Sequence, residues 1–435
     1  MFNLDRFIAD HVTMRPSSMF AGDIEANAEK LREAIEGKKV LVIGGAGSIG
    51  SSFIRALLPF NPASLVVADT NENALAELTR DIRSRGLPVP ADYRPYPMDY
   101  ASEPFKQMFA ANGGFDIVGN FSAHKHVRSE KDIYSVQALL NNNVFGARRL
   151  LKQLADCPPE RYFCVSTDKA ANPVNIMGAS KRIMEDLIFS ESERVPVRTA
   201  RFTNVAFSNG SLPDGFMHRL AKLQPLTAPT DVRRYFVSPE ESGQICLLAC
   251  MLGNNREIFF PKLDEVQMKT FDEIAVALLK EYGFEPLPCG SDEEAVKEAA
   301  ILREELSRTE SSSVSESAGS KETVIQGNTT SQASATIAAL PKYPVHFFIS
   351  DTSGEKPFEE FYIEGEDLDM ERFAALGVIT GKPVPDKKAL TAFLDDLEDA
   401  VMKRACTKED TVRMIGSYLP NFAHIETGKG LDSKM

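Results

Sequence analysis

The chain has 435 residues, 43% of them apolar, a formal net charge of −13 and six cysteines. That length suits two or three domains with a sizeable core, while the acidity argues against a nucleic-acid partner. No apolar run approaches the ~20 residues that a membrane-spanning helix needs.

The cysteines, at 157, 164, 246, 250, 289 and 406, form no CxxC pair. They read as buried thiols in a reducing compartment. The first residues carry acids and no apolar signal core, so a cytoplasmic location is expected.

Residues 1–36 form a predicted helical arm, with Ile24, Ala28, Leu31 and Ile35 near helical spacing. The arm is expected to pack on the main domain or on another subunit. From residue 37 the pattern changes. Val40 to Ile43 is an apolar strand, followed at once by a glycine-rich turn and a helical pattern through Phe53, Ile54, Leu57 and Leu58. Gly44, Gly45, Gly47 and Gly50 satisfy both GxGxxG and GxxGxxG. Such a turn brings backbone amides close to a pyrophosphate and points a helix N-terminus at it. A second strand ends at Asp69, nineteen residues past Gly50. A carboxylate there suits a ribose 2′-hydroxyl and favours NAD over NADP.

Strands and helices then alternate. Arg94–Met98 ends at Asp99, Phe115–Val118 is a fourth strand, and Arg161–Val165 a fifth. The alternation predicts an α/β fold with a doubly wound parallel sheet of the Rossmann type. The dinucleotide-binding domain is expected over 37–205, with the helix 238–252 returning to it. After the fourth strand come Ser122, Ala123, His124, Lys125 and His126, and the next helix holds Asn141, Asn142 and Asn143. Lys125 and His126 are expected to line the cleft. A metal site at His124 and His126 is disfavoured, because no third ligand stands at suitable spacing.

Thr167, Asp168 and Lys169 follow the fifth strand, where an open sheet meets its ligands. They are a candidate acid–base set, or else only the cap of the next helix. Met177 precedes Lys181 by four residues, so the two share a helix face. In short-chain dehydrogenases that face carries tyrosine and lysine, the tyrosine being the base. A thioether cannot exchange a proton, so catalysis is lost here or the proton work moves to Asp168 and Lys169.

These segments together resemble a family. GGAGSIGS, HKHV, VSTDKAANPVNIMGASKR, ARFTNVAFSNGS, RRYFVSPEESGQ and SGEKPFEEF resemble the bacterial UDP-N-acetylglucosamine 4,6-dehydratases of polysaccharide and flagellin glycosylation. These are extended short-chain dehydrogenases. The likeness runs over about 38–282 and 343–362, and points to the branch with methionine in the tyrosine position, which retains the C5 configuration. It implies a lyase with tightly bound NAD and a UDP-sugar substrate in a homo-oligomer. C4 would be oxidised, water lost across C5 and C6, and hydride returned to C6.

By the same resemblance Asp168 is the acid, Lys169 the base, and Thr167 a hydrogen-bonding group near C4; Lys181 binds the nicotinamide ribose. As a base at neutral pH, Lys169 would have to fall well below its ordinary pKa of ~10.4. Gly44, Gly47, Ser48, Ile49, Gly50, Asp69, Asp99, Ser122, Ala123, Lys125 and Asn143 are expected at the cofactor. Lys125, His126, Asn204, Ser208, Ser211, Arg234 and Glu355 are expected at the substrate. Thr352 stands where the family carries arginine, Thr203 where it usually has glycine, and Asn120 where it often has histidine. Met177 separates this reading from a nucleotide-sugar 4-epimerase, which would keep the tyrosine. A non-catalytic NAD-binding scaffold is the third reading.

A smaller substrate-binding domain is expected over 206–365. Within it, residues 307–338 are rich in Ser, Thr, Glu and Gly and are expected to stay disordered. Residues 366–435 are expected to be a helical extension, structural or oligomer-forming, with a stripe of Leu390, Phe393, Leu394, Leu397 and Val401.

Overall fold

The computed structural model describes residues 2–126, 130–317, 340–354, 356, 358–403 and 406–426. Among them, nine strands form the main sheet: β1 Lys39–Ile43, β2 Ser64–Asp69, β3 Asp92–Pro97, β4 Ile117–Asn120, β5 Arg161–Thr167, β6 Val197–Phe202, β7 Glu257–Pro261, β8 Asp367–Asp369 and β9 Leu376–Thr380. Their order across the sheet is β8-β9-β7-β6-β5-β4-β1-β2-β3. β1 to β7 are all parallel, with Val42 opposite both Val67 and Gly119. The runs VLVI and LVVA are apolar throughout because both faces of the sheet are covered.

The order reverses between β1 and β4, which opens a crevice at the carboxyl ends of these strands. On one face, the helices Ser48–Leu57 and Pro239–Leu252 pack together, and Phe53, Ile54, Ile245 and Leu248 meet Val40 and Val42. Gly243 permits the approach: a Cβ there would sit 2.2 Å from the Ser52 carbonyl oxygen. On the other face lie Ala147–Asp156 and Ile176–Ser190, the latter buried at all but one position.

A second lobe surrounds a parallel three-stranded sheet of Leu226–Pro229, Lys342–Phe348 and Glu285–Pro288. Its core includes Phe216, Leu278, Leu279 and Tyr343, together with Phe7, Ile8 and Val12 of the N-terminal arm. The arm's later helix, Ala28–Ile35, packs Leu31 and Ile35 into the main-domain core. The arm therefore ties the two lobes together.

Two regions differ from the sequence reading. The stretch expected to be disordered from 307 is helical at its start: an acidic helix runs over Asp292–Ser317, with an Arg308–Glu304 ion pair at 3.4 Å. Extending a formed helix costs far less than starting one. The remainder of the insertion, 318–339, lies outside the described residues. The region after 366 is not helical from its start: β8 and β9 come first, β8 pairing antiparallel with β9 and β9 with β7. The helices Lys387–Lys403 and Lys408–Tyr418 follow, and Leu390, Leu394, Leu397, Val401 and Ile415 join the core beside Leu150, Leu154 and Leu187.

Candidate active site

A cleft of about 670 Å³ opens at the carboxyl ends of β1, β4, β5 and β6 and is closed on its far side by the second lobe. Gly44, Gly47, Ser48, Ile49 and Gly50 form one wall. Gly44 has φ +71°, and a Cβ there would lie 2.6 Å from the Ser122 nitrogen. A Cβ on Gly50 would lie 2.3 Å from the Gly44 carbonyl oxygen. The helix that starts at Ser48 has Gly47 as its N-cap and no capping side chain. Its first amides therefore remain available to an anion. The Asn209 amide donates to Ser48 Oγ at 2.9 Å, drawing the 208–211 loop over this helix end.

Asp69 ends β2 beside the glycine loop and accepts from the Ala46 and Asn71 amides at 3.0 and 2.9 Å. It stands next to the cleft rather than in its lining. Asp99 is exposed and accepts from the Ala101 amide at 2.8 Å, so it forms a turn ahead of the helix Glu103–Ala111. Like Asp69, it stands outside the cleft lining.

After β4, Ala123, Lys125 and His126 reach the cleft. Lys125 Nζ lies 3.3 Å from Ser208 Oγ, and burial lowers its pKa against the pull of Asp214. Burial also lowers His124. Ser122 Oγ donates to Asn142 Oδ1 at 3.1 Å, behind the cleft wall. Asn143 is also behind it: its side chain accepts from the His124 amide and donates to the His124 carbonyl and Ser180 Oγ, all within 3.0 Å. A π-helical turn over Asn141–Gly146 presents these amides to the loop. Asn143 thus holds the wall in place rather than facing the cleft. No group of three metal-ligating side chains occurs among the described residues.

At the end of β5, Thr167, Lys169, Met177 and Lys181 all line the cleft. Lys181 Nζ donates to the Val165 carbonyl at 3.1 Å, and burial lowers its pKa despite Cys164 and Glu185. Asp168 is turned under the surface. Its Oδ1 accepts from Thr167 Oγ1 at 2.7 Å, the Lys169 amide at 2.8 Å and Lys169 Nζ at 3.2 Å, and Oδ2 is buried with no hydrogen-bond partner among the described residues. Asn175 caps the following helix by accepting from the Gly178 amide, and also donates to the Gly354 carbonyl.

One side chain absent from the sequence reading completes this cluster. Glu359 lines the cleft, is 4% exposed, and places Oε1 3.5 Å from Lys169 Nζ. The segment SGEKPFEEF contains it, but nothing in the spacing distinguishes Glu359 from Glu355 or Glu360. Lys169 therefore lies between two carboxylates. Burial works to lower its pKa, but Asp168 and Glu359 outweigh burial and raise it. The fall expected for a base at Lys169 is not present. Burial raises Glu359, with Asp168 adding to it against Lys169, Arg234 and Lys356.

On the second-lobe side, Asn204, Ser208, Ser211 and Arg234 line the cleft. Ser211 Oγ also caps the helix Leu212–Leu220. Arg234 is 5% exposed, and Nη1 donates to the Arg233 and Lys356 carbonyls at 2.9 Å. Thr352 reaches the same wall, while Thr203 Oγ1 donates to the Tyr235 carbonyl. Glu355 lies outside the described residues.

This fold and cleft have known counterparts. The sequence profile of the family described as "Polysaccharide biosynthesis protein" matches residues 40–316, and the chain belongs to that family. It is 33% identical over 256 residues to the uncharacterized membrane protein MJ1061 of Methanocaldococcus jannaschii, covering 57% of this chain and 74% of that one. It is 25% identical over 240 residues to the UDP-N-acetylglucosamine 4,6-dehydratase (inverting) of Campylobacter jejuni, covering 53% and 69%. UDP-glucose 4-epimerases of Rickettsia are also relatives. The chain spans 47% of the length of the capsular polysaccharide biosynthesis protein CapD of Staphylococcus aureus, at 27% identity over 65% of this chain. The X-ray structure of Pen from Bacillus thuringiensis superposes with a TM-score of 0.59 at 20% identity, over 81% of this chain and 89% of that one, and shares the Rossmann-type fold. Among the described residues no helix is long and apolar enough to cross a membrane.

Proposed function

We propose that this chain is an NAD-dependent nucleotide-sugar 4,6-dehydratase acting on UDP-N-acetylglucosamine or a close UDP-sugar. The observation that carries the reading is the cluster of Thr167, Lys169 and Glu359 beside Met177 and Lys181 in one cleft, with Asp168 directly beneath Lys169. A 4-epimerase moves one hydride out and back and needs a single base at the C4 hydroxyl. Proton exchange at both C5 and C6 calls for more than one such group, and this cleft holds several while lacking the phenol.

The residues fit NAD. Gly44 and Gly50 sit where a Cβ would collide with backbone, the Ser48 helix offers free amides, and Asp69 can accept from a ribose hydroxyl. When bound, NAD would supply hydride abstraction at C4 of the sugar and hydride return at C6. Lys181, its ammonium anchored on the Val165 carbonyl, is left to orient the nicotinamide ribose. Lys125 and Arg234 line the same cleft and would meet the diphosphate, for which a planar guanidinium is suited. Asn204, Ser208 and Ser211 offer amide and hydroxyl groups to the sugar nucleotide. Met177 keeps the sugar's reacting face dry and moves no proton. Asp168 holds the Lys169 ammonium and the Thr167 hydroxyl in position.

The test is turnover of UDP-N-acetylglucosamine followed by mass spectrometry. The reading expects loss of one water, and expects Lys169→Ala and Asp168→Asn each to abolish product while NAD stays bound. A product of unchanged mass with an altered C4 configuration would establish epimerisation instead.

A further inference from the structure

We propose that Glu359 is the catalytic base that removes the C5 proton, and that the Lys169 ammonium is the acid that protonates the departing C6 hydroxyl. This assignment rests on the dehydratase reading and reverses the role that the family resemblance implies for Lys169. The geometry carries it. Glu359 lines the cleft, is almost fully buried, and places Oε1 3.5 Å from the Lys169 ammonium. Its Oε2 has no hydrogen-bond partner among the described residues, and Lys356 Nζ stands 3.9 Å away. A buried carboxylate oxygen without a donor is costly to keep, and in a side chain that lines the cleft taking up a proton relieves that cost.

Charge supports the same division of labour. An ammonium flanked by two carboxylates holds its proton and arrives at the reaction as a donor. A carboxylate with a raised pKa is a stronger base than one in water. Asp168 already accepts three hydrogen bonds through Oδ1 and is not in the cleft lining, so Glu359 is the carboxylate that a substrate can meet.

The step balances. With C4 as a ketone, Glu359 takes the C5 proton and the C5–H electron pair forms the C5–C6 double bond. The C6–O bond breaks, and the oxygen leaves as water with the proton from Lys169. Glu359 exchanges that proton with solvent and then protonates C5 as hydride returns to C6, so the C5 hydrogen of the product comes from solvent; Lys169 is reprotonated from solvent.

The experiment compares wild type, Glu359→Gln and Glu359→Asp with UDP-N-acetylglucosamine. C4 oxidation is followed by the absorbance of reduced nicotinamide, and elimination by mass. Glu359→Gln is expected to lose at least ~100-fold in elimination, the usual weight of a general base, while reduced nicotinamide still forms. Glu359→Asp is expected to slow elimination more than oxidation, which keeps the test alive if the glutamine variant does not fold. Elimination within tenfold of wild type in Glu359→Gln, or equal losses in both steps in either variant, would overturn the assignment.

A readout free of turnover accompanies these. The pH midpoint for reductive methylation of Lys169 should fall by about one pH unit or more in Glu359→Gln, and an unchanged midpoint would contradict the pairing. If wild type converts no UDP-sugar, the dehydratase reading fails at that point, while the methylation midpoint still reports on the pair.

Discussion

Arg201 grips Glu185 through two nitrogens, Nε to Oε1 at 2.8 Å and Nη2 to Oε2 at 2.7 Å, with both side chains sealed from solvent. The pair joins three parts of the site. Glu185 belongs to the helix that carries Lys181 and also accepts from Ser166, next to Thr167, at 2.7 Å. Arg201 Nη1 donates to the Phe361 carbonyl, two residues past Glu359. Burial would raise the Glu185 carboxyl, but Arg201 and Arg182 hold it down at about 2.

Removing one member of such a pair strands the other charge, which typically costs about 3–5 kcal/mol. Glu185→Gln is therefore expected to lower the melting temperature clearly in calorimetry. The pH dependence has a definite sign. A carboxyl lowered on folding adds stability above its ordinary pKa of 4.5, and that stability is lost as pH falls toward about 2. The stability of wild type should fall more steeply between these values than that of Glu185→Gln, by about one bound proton.

The glycine loop gives a second prediction. Gly50→Ala puts a methyl 2.3 Å from the Gly44 carbonyl oxygen, so the loop must open. NAD affinity measured by titration calorimetry is expected to fall at least tenfold. Asp69→Ala should weaken NAD by about 10–100-fold, the weight of a hydrogen bond to a charged group, and weaken NADP less. Equal losses for both cofactors would remove Asp69 from the ribose.

The C-terminal tail gives a third. The Ala423 and Ile425 amides donate to the Pro173 and Val174 carbonyls, the Gly354 amide donates to Ile425, and Asn421 donates to Ala171. His424 lies 3.5 Å from Glu130, whose other oxygen accepts from the Met177 amide. The tail thus pins the loop between Lys169 and Met177. Truncation after Leu419 is expected to raise amide hydrogen exchange across 171–178 and to reduce kcat more than NAD affinity. Unchanged exchange there would show that the loop holds itself.

The centre of the molecule was legible in the sequence because its signals are local. An apolar strand, a glycine turn and a helix occupy Lys39–Leu57 without interruption, and Thr167 to Lys181 is one strand end and one helix. What escaped depends on contacts between distant segments. β9 is five residues long and finds its partner β7 far back in the chain, so no periodicity announces it. Glu359 meets Lys169 across 190 positions. Asp99 and Asn143 stand outside the cleft lining, Asp99 accepting from the Ala101 amide and Asn143 bonding the His124 amide and carbonyl, contacts that no spacing in the sequence announces.

Elimination of water across C5 and C6 leaves a deuterium signature. Wild-type protein is incubated with UDP-N-acetylglucosamine in deuterated water, and the product is read by mass spectrometry and proton NMR. The expected product is a 4-keto-6-deoxy sugar that has lost one water and gained one deuterium at C5, with the migrated hydrogen at C6 coming from C4 rather than from solvent. A sugar of unchanged mass with its C4 configuration altered and no deuterium on carbon would contradict it.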